Sequence, residues 1–218
     1  MRAAFFRPAL EIICILWYTC IKQPPCSSEF FSERIYPMKL YIVRHGQSEW
    51  NALRKVCGAT DAPLTELGRT QAAETAALIV QMTQTEPLDL IIASPLSRAL
   101  ETGRAIQAAC GDVPLIIDDR IREINFGENE GRSTKDPDFQ AEKRIFPRRH
   151  PGGESMLMFT HRIYSFLDDI RIRYADKTVL LACHNGICRA AYSYVNDMTN
   201  EEFMSYVVNN ASVSVYEL

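Results

Sequence analysis

An α/β fold with a mainly parallel sheet is predicted by three features of this sequence. Short, unbroken apolar runs rich in β-branched residues recur along the chain. Segments of helical periodicity separate them. Three of the runs end abruptly in polar, reactive side chains. A strand buried on both faces reads as a continuous apolar run, and such strands belong to parallel sheets covered by helices.

"LYIV" at 40–43 is the first strand, and it passes straight into Arg44, His45 and Gly46. "PLTELGRTQAAETAALIVQMTQ" follows a loop. Thr65 is a good N-cap there, and Ala72, Ala73, Ala76, Ala77, Ile79 and Val80 form a helical stripe. "LDLIIAS" at 88–94 is the second strand. In "SPLSRALETGRAIQAACG", Ser94 is expected to cap a helix with Pro95 at its first position and Gly111 at its end. Leu96, Leu100, Gly103, Ile106 and Cys110 give that helix a buried face. "VPLIID" at 113–118 is the third strand. Residues 119 to about 153 hold Gly127, Gly131, Pro137, Pro147 and Pro151, and read as a loop-rich lid with one short helix. "ESMLMFTHRIYSFLDDIRIRYA" is a long amphipathic helix, "TVLLAC" at 178–183 a fourth buried strand, and "GICRAAYSYV" opens another helix. "EEFMSYVV" is a short helix, and "ASVSVYEL" closes the chain as an edge strand.

The 218 residues make one sizeable domain with an appendage at most. A formal charge of −3 argues against nucleic acid as the main partner, since its binders carry a basic excess. The seven cysteines show no paired C-x-x-C spacing, and reduced thiols in a cytoplasmic protein are expected. Residues 1–37 differ from the rest, with Arg2, Arg7, an apolar run from Ile12 to Ile21, and Pro24-Pro25. The run is too short to span a bilayer. The preferred reading starts the domain at Met38, with a disposable or misassigned leader before it. A signal or interfacial anchor, and a true structural segment, stay open. The domain from Met38 keeps 20 Lys+Arg (24 less 4) against 24 Asp+Glu (27 less 3).

Ligands of open α/β sheets bind beyond the carboxyl ends of the strands. The first strand ends in Arg44-His45-Gly46, the second in Ser94 with Arg98 just after, and the fourth in His184-Asn185-Gly186. Two histidines and two arginines at one sheet edge suit a phosphoryl group, because the guanidinium fork matches phosphate oxygens. A neutral imidazole can attack phosphorus and leave as phosphohistidine. Glu123, in "REINFGENEG", is the candidate to protonate the leaving alkoxide. Metal binding by His45 and His184 is disfavoured, since the flanking arginines oppose a cation. His161 is expected to be solvated or structural. Cys183 reads as a small buried hydrophobe. Arg148, Arg149 and His150 read as a solvated basic loop, with contact to a second anionic group on the substrate as the alternative.

"RHGQSEWN", "DAPLTELGRTQA", "IIASPLSRALETG", "REINFGENEG", "HPGGES" and "LLACHNGICRA" occur in an order that resembles the histidine phosphatase superfamily, the phosphoglycerate mutase-like group, over about 38–218. The resemblance implies a three-layer α/β/α sandwich. It implies His45 as phosphorylated nucleophile, Arg44, Arg98 and His184 as the phosphate clamp, Glu123 as acid and then base, and Asn51 as a further phosphate contact. It implies no metal or other cofactor. After Asn51 the family often shows Gly-Arg-x-Gln-Gly, whereas "RKVCGATD" stands here, so Lys55, Cys57 and Gly58 are the outer pocket candidates. Mutases of the family resemble this chain but carry extra sequence between the Glu and Gly-Gly-Glu-Ser motifs. About twenty residues separate Gly131 from Gly152 here. The shorter lid favours water as acceptor and hence a phosphatase. A mutase is the runner-up, and a non-catalytic phosphate-binding module the third reading. The expected partner is a small phosphorylated substrate, without nucleic acid or membrane, and with a homodimer as an open arrangement.

Overall fold

A computed structural model of the chain describes residues 37–218. The leader readings for residues 1–36 lie outside the described residues. Strands β1 (Lys39–Arg44), β2 (Leu90–Ala93), β3 (Leu115–Ile117), β4 (Thr178–Cys183) and β5 (Val213–Glu217) form one sheet in the order β3-β2-β4-β1-β5. β1 and β2 both run parallel to β4, β3 runs parallel to β2, and only β5 is antiparallel, on the edge beside β1.

Helices α1 (Glu49–Ala52) and α2 (Glu66–Met82) follow β1, and α3 (Ser97–Cys110) follows β2. α4 (Pro137–Glu142) is the short helix of the lid, and α5 (Met156–Arg173) leads to β4. α6 (Asn185–Val195) and α7 (Asn200–Ser205) complete the described α-helices, and two 3-10 turns, Asp119–Ile121 and Gly127–Asn129, lie in the lid. The pleat divides the core in two. Tyr41, Val43, Ile91, Ala93, Leu180 and Ala182 meet Ala76 of α2 and Ile106 of α3. Leu40, Ile42, Ile92, Val179 and Leu181 meet Ile163, Phe166, Leu167 and Ile170 of α5 and Ile187 of α6. Helices on both faces make the expected sandwich. Each fully buried aliphatic or aromatic side chain contributes roughly 1.5–3 kcal/mol.

Two local expectations need correction. The α2 stripe is narrower than its apolar spacing suggests. Ala72, Thr75, Ala76 and Ile79 are buried, whereas Ala73, Ala77 and Val80 are exposed. Small alanines at exposed positions serve helix propensity rather than packing. Ser94 is not the N-cap of α3, which begins two residues later than expected, with Leu96 as cap and no side-chain cap bond of its own. The Ser94 hydroxyl is engaged by His184 instead. Asp61 takes over the capping from a distant loop, its Oδ1 accepting from Ser97 N at 2.8 Å and Ser97 Oγ at 2.7 Å. Replacing that acceptor leaves a first-turn N–H unpaired. Asp61→Ala is therefore expected to lower the stability by about 1 kcal/mol. A denaturant midpoint that falls at constant slope would show it, and an unchanged midpoint would refute the capping role.

Candidate active site

The parallel register sets the site. Arg44 at the end of β1 stands opposite Cys183 at the end of β4, so the next residues, His45 and His184, emerge side by side. Their ring centroids are 5.2 Å apart. Ser94 leaves the end of β2 on the other side of β4, its N–H donating to Ala182 O. Gly46 is required for the turn out of β1: a Cβ there would overlap the carbonyl oxygen of Gly68 in the first turn of α2.

His45 is 4% exposed and its Nδ1 lies 2.6 Å from Gly46 O. A carbonyl only accepts, so Nδ1 carries the proton and Nε2 keeps its lone pair. Burial, reinforced by Arg98 and Arg44, holds the imidazole neutral well below its usual titration range. His184 is fully buried with Nε2 2.8 Å from Ser94 Oγ. Burial first, then Arg98, His45 and Arg44, keeps it neutral too. The Ser94 oxygen also receives the weak Leu96 N–H, so its hydroxyl proton is free to go to Nε2. His184 then presents Nδ1–H as a donor.

Neither arginine of the cluster has a carboxylate partner within ion-pair distance among the described residues. Arg98 is 1% exposed, donating from Nη1 to Thr60 O at 2.9 Å and from Nη2 to Gly58 O at 2.7 Å. Arg44 donates from Nη1 to Val208 O. Carbonyls fix both guanidinium groups without neutralising them. Arg44 Nε, Arg98 Nε and His184 Nδ1 are buried and have no hydrogen-bond partner among the described residues. An unpaired buried donor costs about 1–3 kcal/mol, and three neighbouring His45 suit a ligand with several acceptor oxygens.

Glu123 faces this cluster, 8% exposed. Oε1 accepts from Ile124 N and Oε2 from Gly186 N, both at 3.0 Å. A Cβ on residue 186 would overlap the carboxylate, so Gly186 lets it approach α6. The backbone before Glu123 is pinned by Arg162, which donates to Arg120 O and Arg122 O and pairs with Glu154 at 2.8 Å. Asn51 Oδ1 accepts from Ser48 N and Asn210 Nδ2, which turns the amide nitrogen outward.

A cleft of about 190 Å³ opens at Arg44, His45 and Glu123; Arg98 and His184 lie buried behind them and do not line it. Arg44, His45, Asn51, Lys55, Cys57 and Glu123 all line it. Gly58 does not; its carbonyl serves Arg98. The Cys57 thiol is pushed up by burial. His161 is exposed on α5. The Arg148–His150 stretch is not in the cleft. His150 is 3% exposed, packed edge-on against Phe126 with its Nδ1 3.1 Å from Asn129 Nδ2. Arg148 and Arg149 are exposed. The local charge of "PRRHP" gave no sign that the histidine turns inward onto lid aromatics.

Four contributors were not singled out from sequence. Glu130 accepts from Ala59 N, Thr60 N and Phe126 N, and so braces the loop whose carbonyls hold Arg98. Asn210 donates to His45 O as well as to Asn51. Arg189, one turn into α6, lines the cleft together with Lys143 of the lid. Glu130 lies inside the "FGENEG" run, which was the available signal. Asn210 had none beyond its place before the closing strand.

The family model for the histidine phosphatase superfamily (branch 1) matches residues 40–218. Phosphoserine phosphatase 1 of Hydrogenobacter thermophilus is 33% identical over 83% of this chain and 87% of its own length. A probable phosphoglycerate mutase of Yersinia pestis is 35% identical over 67% of this chain and 69% of its own. The structure of an Entamoeba histolytica phosphoserine phosphatase in complex with 3-phosphoglyceric acid superposes with a TM-score of 0.68 at 27% identity, covering 82% of this chain and 89% of that one.

The neutral, buried His45 has a consequence for stability. Below about pH 6.5 the unfolded chain protonates this imidazole while the folded one stays neutral. The unfolded state then binds more protons, so stability falls as the pH falls. The wild type should lose up to about 1.4 kcal/mol per pH unit relative to His45→Gln between about pH 6.5 and 5, measured by denaturant unfolding. Parallel pH profiles for the two proteins would show that His45 is not held neutral.

Proposed function

This chain belongs to the histidine phosphatase superfamily, and from that premise we propose that it is a cytoplasmic phosphomonoesterase working through phosphohistidine, without metal or cofactor. The observation that carries the reading is the trio of unpartnered buried donors, Arg44 Nε, Arg98 Nε and His184 Nδ1, set around a neutral His45. Together they offer a transferring phosphoryl group its oxygen partners at the buried floor of the cleft. In the first step His45 Nε2 bonds to phosphorus, the ester P–O bond breaks, and the Glu123 carboxylic acid gives its proton to the leaving oxygen. In the second step the Glu123 carboxylate takes a proton from water, the water oxygen bonds to phosphorus, and the P–N bond breaks. Inorganic phosphate leaves and both side chains return to their starting states. The four described cysteines, Cys57, Cys110, Cys183 and Cys188, are free, which fits a reducing compartment.

Hydrolysis is preferred to phosphoryl return because the lid is short. Between Gly131 and Gly152 it holds one helix, Pro137–Glu142. Its strapping is local: Val56 N to Arg132 O, Gly131 N to Val56 O and Thr134 N to Arg54 O tie it to the loop after α1. The resemblance to the Yersinia mutase supports isomerisation as the second reading.

The test uses purified protein with chelator present, offered phosphate esters that include 3-phosphoglycerate with and without 2,3-bisphosphoglycerate. Free phosphate and isomerised product are followed together. Free phosphate with little 2-phosphoglycerate is the expected outcome. Rapid, bisphosphoglycerate-dependent isomerisation with little phosphate release would overturn it in favour of the mutase.

A further inference from the structure

The outer half of the cleft carries charge that the phosphoryl chemistry does not use. Among its lining residues are four cations, Arg44, Lys55, Lys143 and Arg189, against one carboxylate, Glu123. Arg44 belongs to the phosphoryl cradle. Lys55 is exposed, with its Nζ 5.8 Å from the centroid of the Trp50 ring. Lys143 and Arg189 are different, for they are partly buried and come from two separate elements, the end of the lid helix and α6.

Lys143 has no carboxylate within ion-pair distance and no side-chain hydrogen bond among the described residues; its Nζ lies 5.8 Å from the Phe139 ring centroid. Burial, then the charges of Arg189 and Arg144, depress its ammonium. Arg189 spends Nε and Nη2 on a single acceptor, Tyr206 O at 3.3 and 3.1 Å, and stacks at 5.5 Å over Phe203. Its Nη1 has no hydrogen-bond partner among the described residues. The Tyr206 carbonyl and the Phe203 ring fix the guanidinium without an ion pair; Glu123 acts on it, but less than burial does. Two partly buried cations that repel each other are costly without an anion between them. Elsewhere on this chain arginines in comparable surroundings are paired, as Arg162 is with Glu154 and Arg132 with Asp136.

We propose that Lys143 and Arg189 form a second anion subsite that reads a carboxylate on the organic part of the substrate. The proposal rests on the phosphomonoesterase reading of the same cleft and narrows its substrates to short phosphorylated carboxylic acids. One ammonium and one free guanidinium N–H suit the two oxygens of a carboxylate. The small volume and the apolar walls of Val56, Phe126, Phe139 and Met156 restrict the linker to a short carbon chain. This subsite replaces the role considered for Arg148 and Arg149.

The test compares 3-phosphoglycerate with glycerol 3-phosphate, which share a carbon skeleton and differ in carboxylate against hydroxymethyl. Wild-type protein is expected to favour the carboxylate ester at least about tenfold in kcat/KM. Lys143→Gln and Arg189→Gln should each reduce that ratio several-fold, chiefly through KM, and the double variant should bring it near unity. Calorimetric affinities for the same two ligands are measured in parallel, with inorganic phosphate as the control that the variants keep the inner cradle. Equal wild-type affinities for the two esters, or a preference that survives the double variant, would overturn the subsite. Discriminating binding without any hydrolysis would instead support the subsite and sink the proposed activity, so the two failures are distinguishable.

Discussion

Everything at the carboxyl end of this sheet depends on holding two arginines, Arg98 buried and Arg44 partly buried, without a carboxylate partner among the described residues. Arg98 is fixed by the carbonyls of Gly58 and Thr60, and Arg44 by that of Val208. A buried ion pair would have cancelled the field that a phosphoryl group needs. A carbonyl cradle keeps each guanidinium oriented and fully charged. The same field, added to burial, keeps both histidines neutral, which preserves the His45 lone pair. Glu130 and Asn210 follow from this constraint. The first braces the loop that supplies carbonyls to Arg98, and the second ties the His45 turn to the segment before β5.

The sheet makes the cluster rigid. Parallel pairing of β4 with both β1 and β2 sets three strand ends in a row, so His45, His184 and Ser94 reach one point without any loop having to carry them. The lid supplies the adjustable part. It contributes Glu123 at its root and Lys143 at its far end, and it is strapped to residues 54–56 by backbone bonds. The strand ends thereby hold the histidine and arginine cluster, and the lid adds Glu123 and Lys143 over that scaffold.

Much of this was legible in the sequence, and the exceptions have physical reasons. β4 could be placed to the residue because a doubly buried strand has no polar interruption and its end is marked by His184. Glu123 and the two arginines were recognised as motif members, but their mutual distances came only from the register. Ser94 has the residue type and position of a helix cap, yet its hydroxyl is taken by a histidine 90 residues away. Local propensity cannot foresee that competition. His150 was misjudged for a similar reason, since the ring that covers it belongs to Phe126, 24 residues earlier in the chain. Arg189 sat in plain view in "CHNGICRA", but that it lines the cleft with Lys143 emerges only once the lid helix and α6 are brought together.

The central claim is that His45 accepts the phosphoryl group. The most direct measurement is alkaline quenching of the protein during turnover of an aryl phosphate, followed by mass mapping of the phosphorylated residue. Glu123→Gln is the informative variant, because an aryl leaving group hardly needs the acid while the second step still needs the base. Acid-labile, alkali-stable phosphate on His45 that accumulates in Glu123→Gln and is absent from His45→Ala is the expected result. Continued turnover by His45→Ala, with no phosphoenzyme in any variant, would mean direct attack by water and would contradict the account.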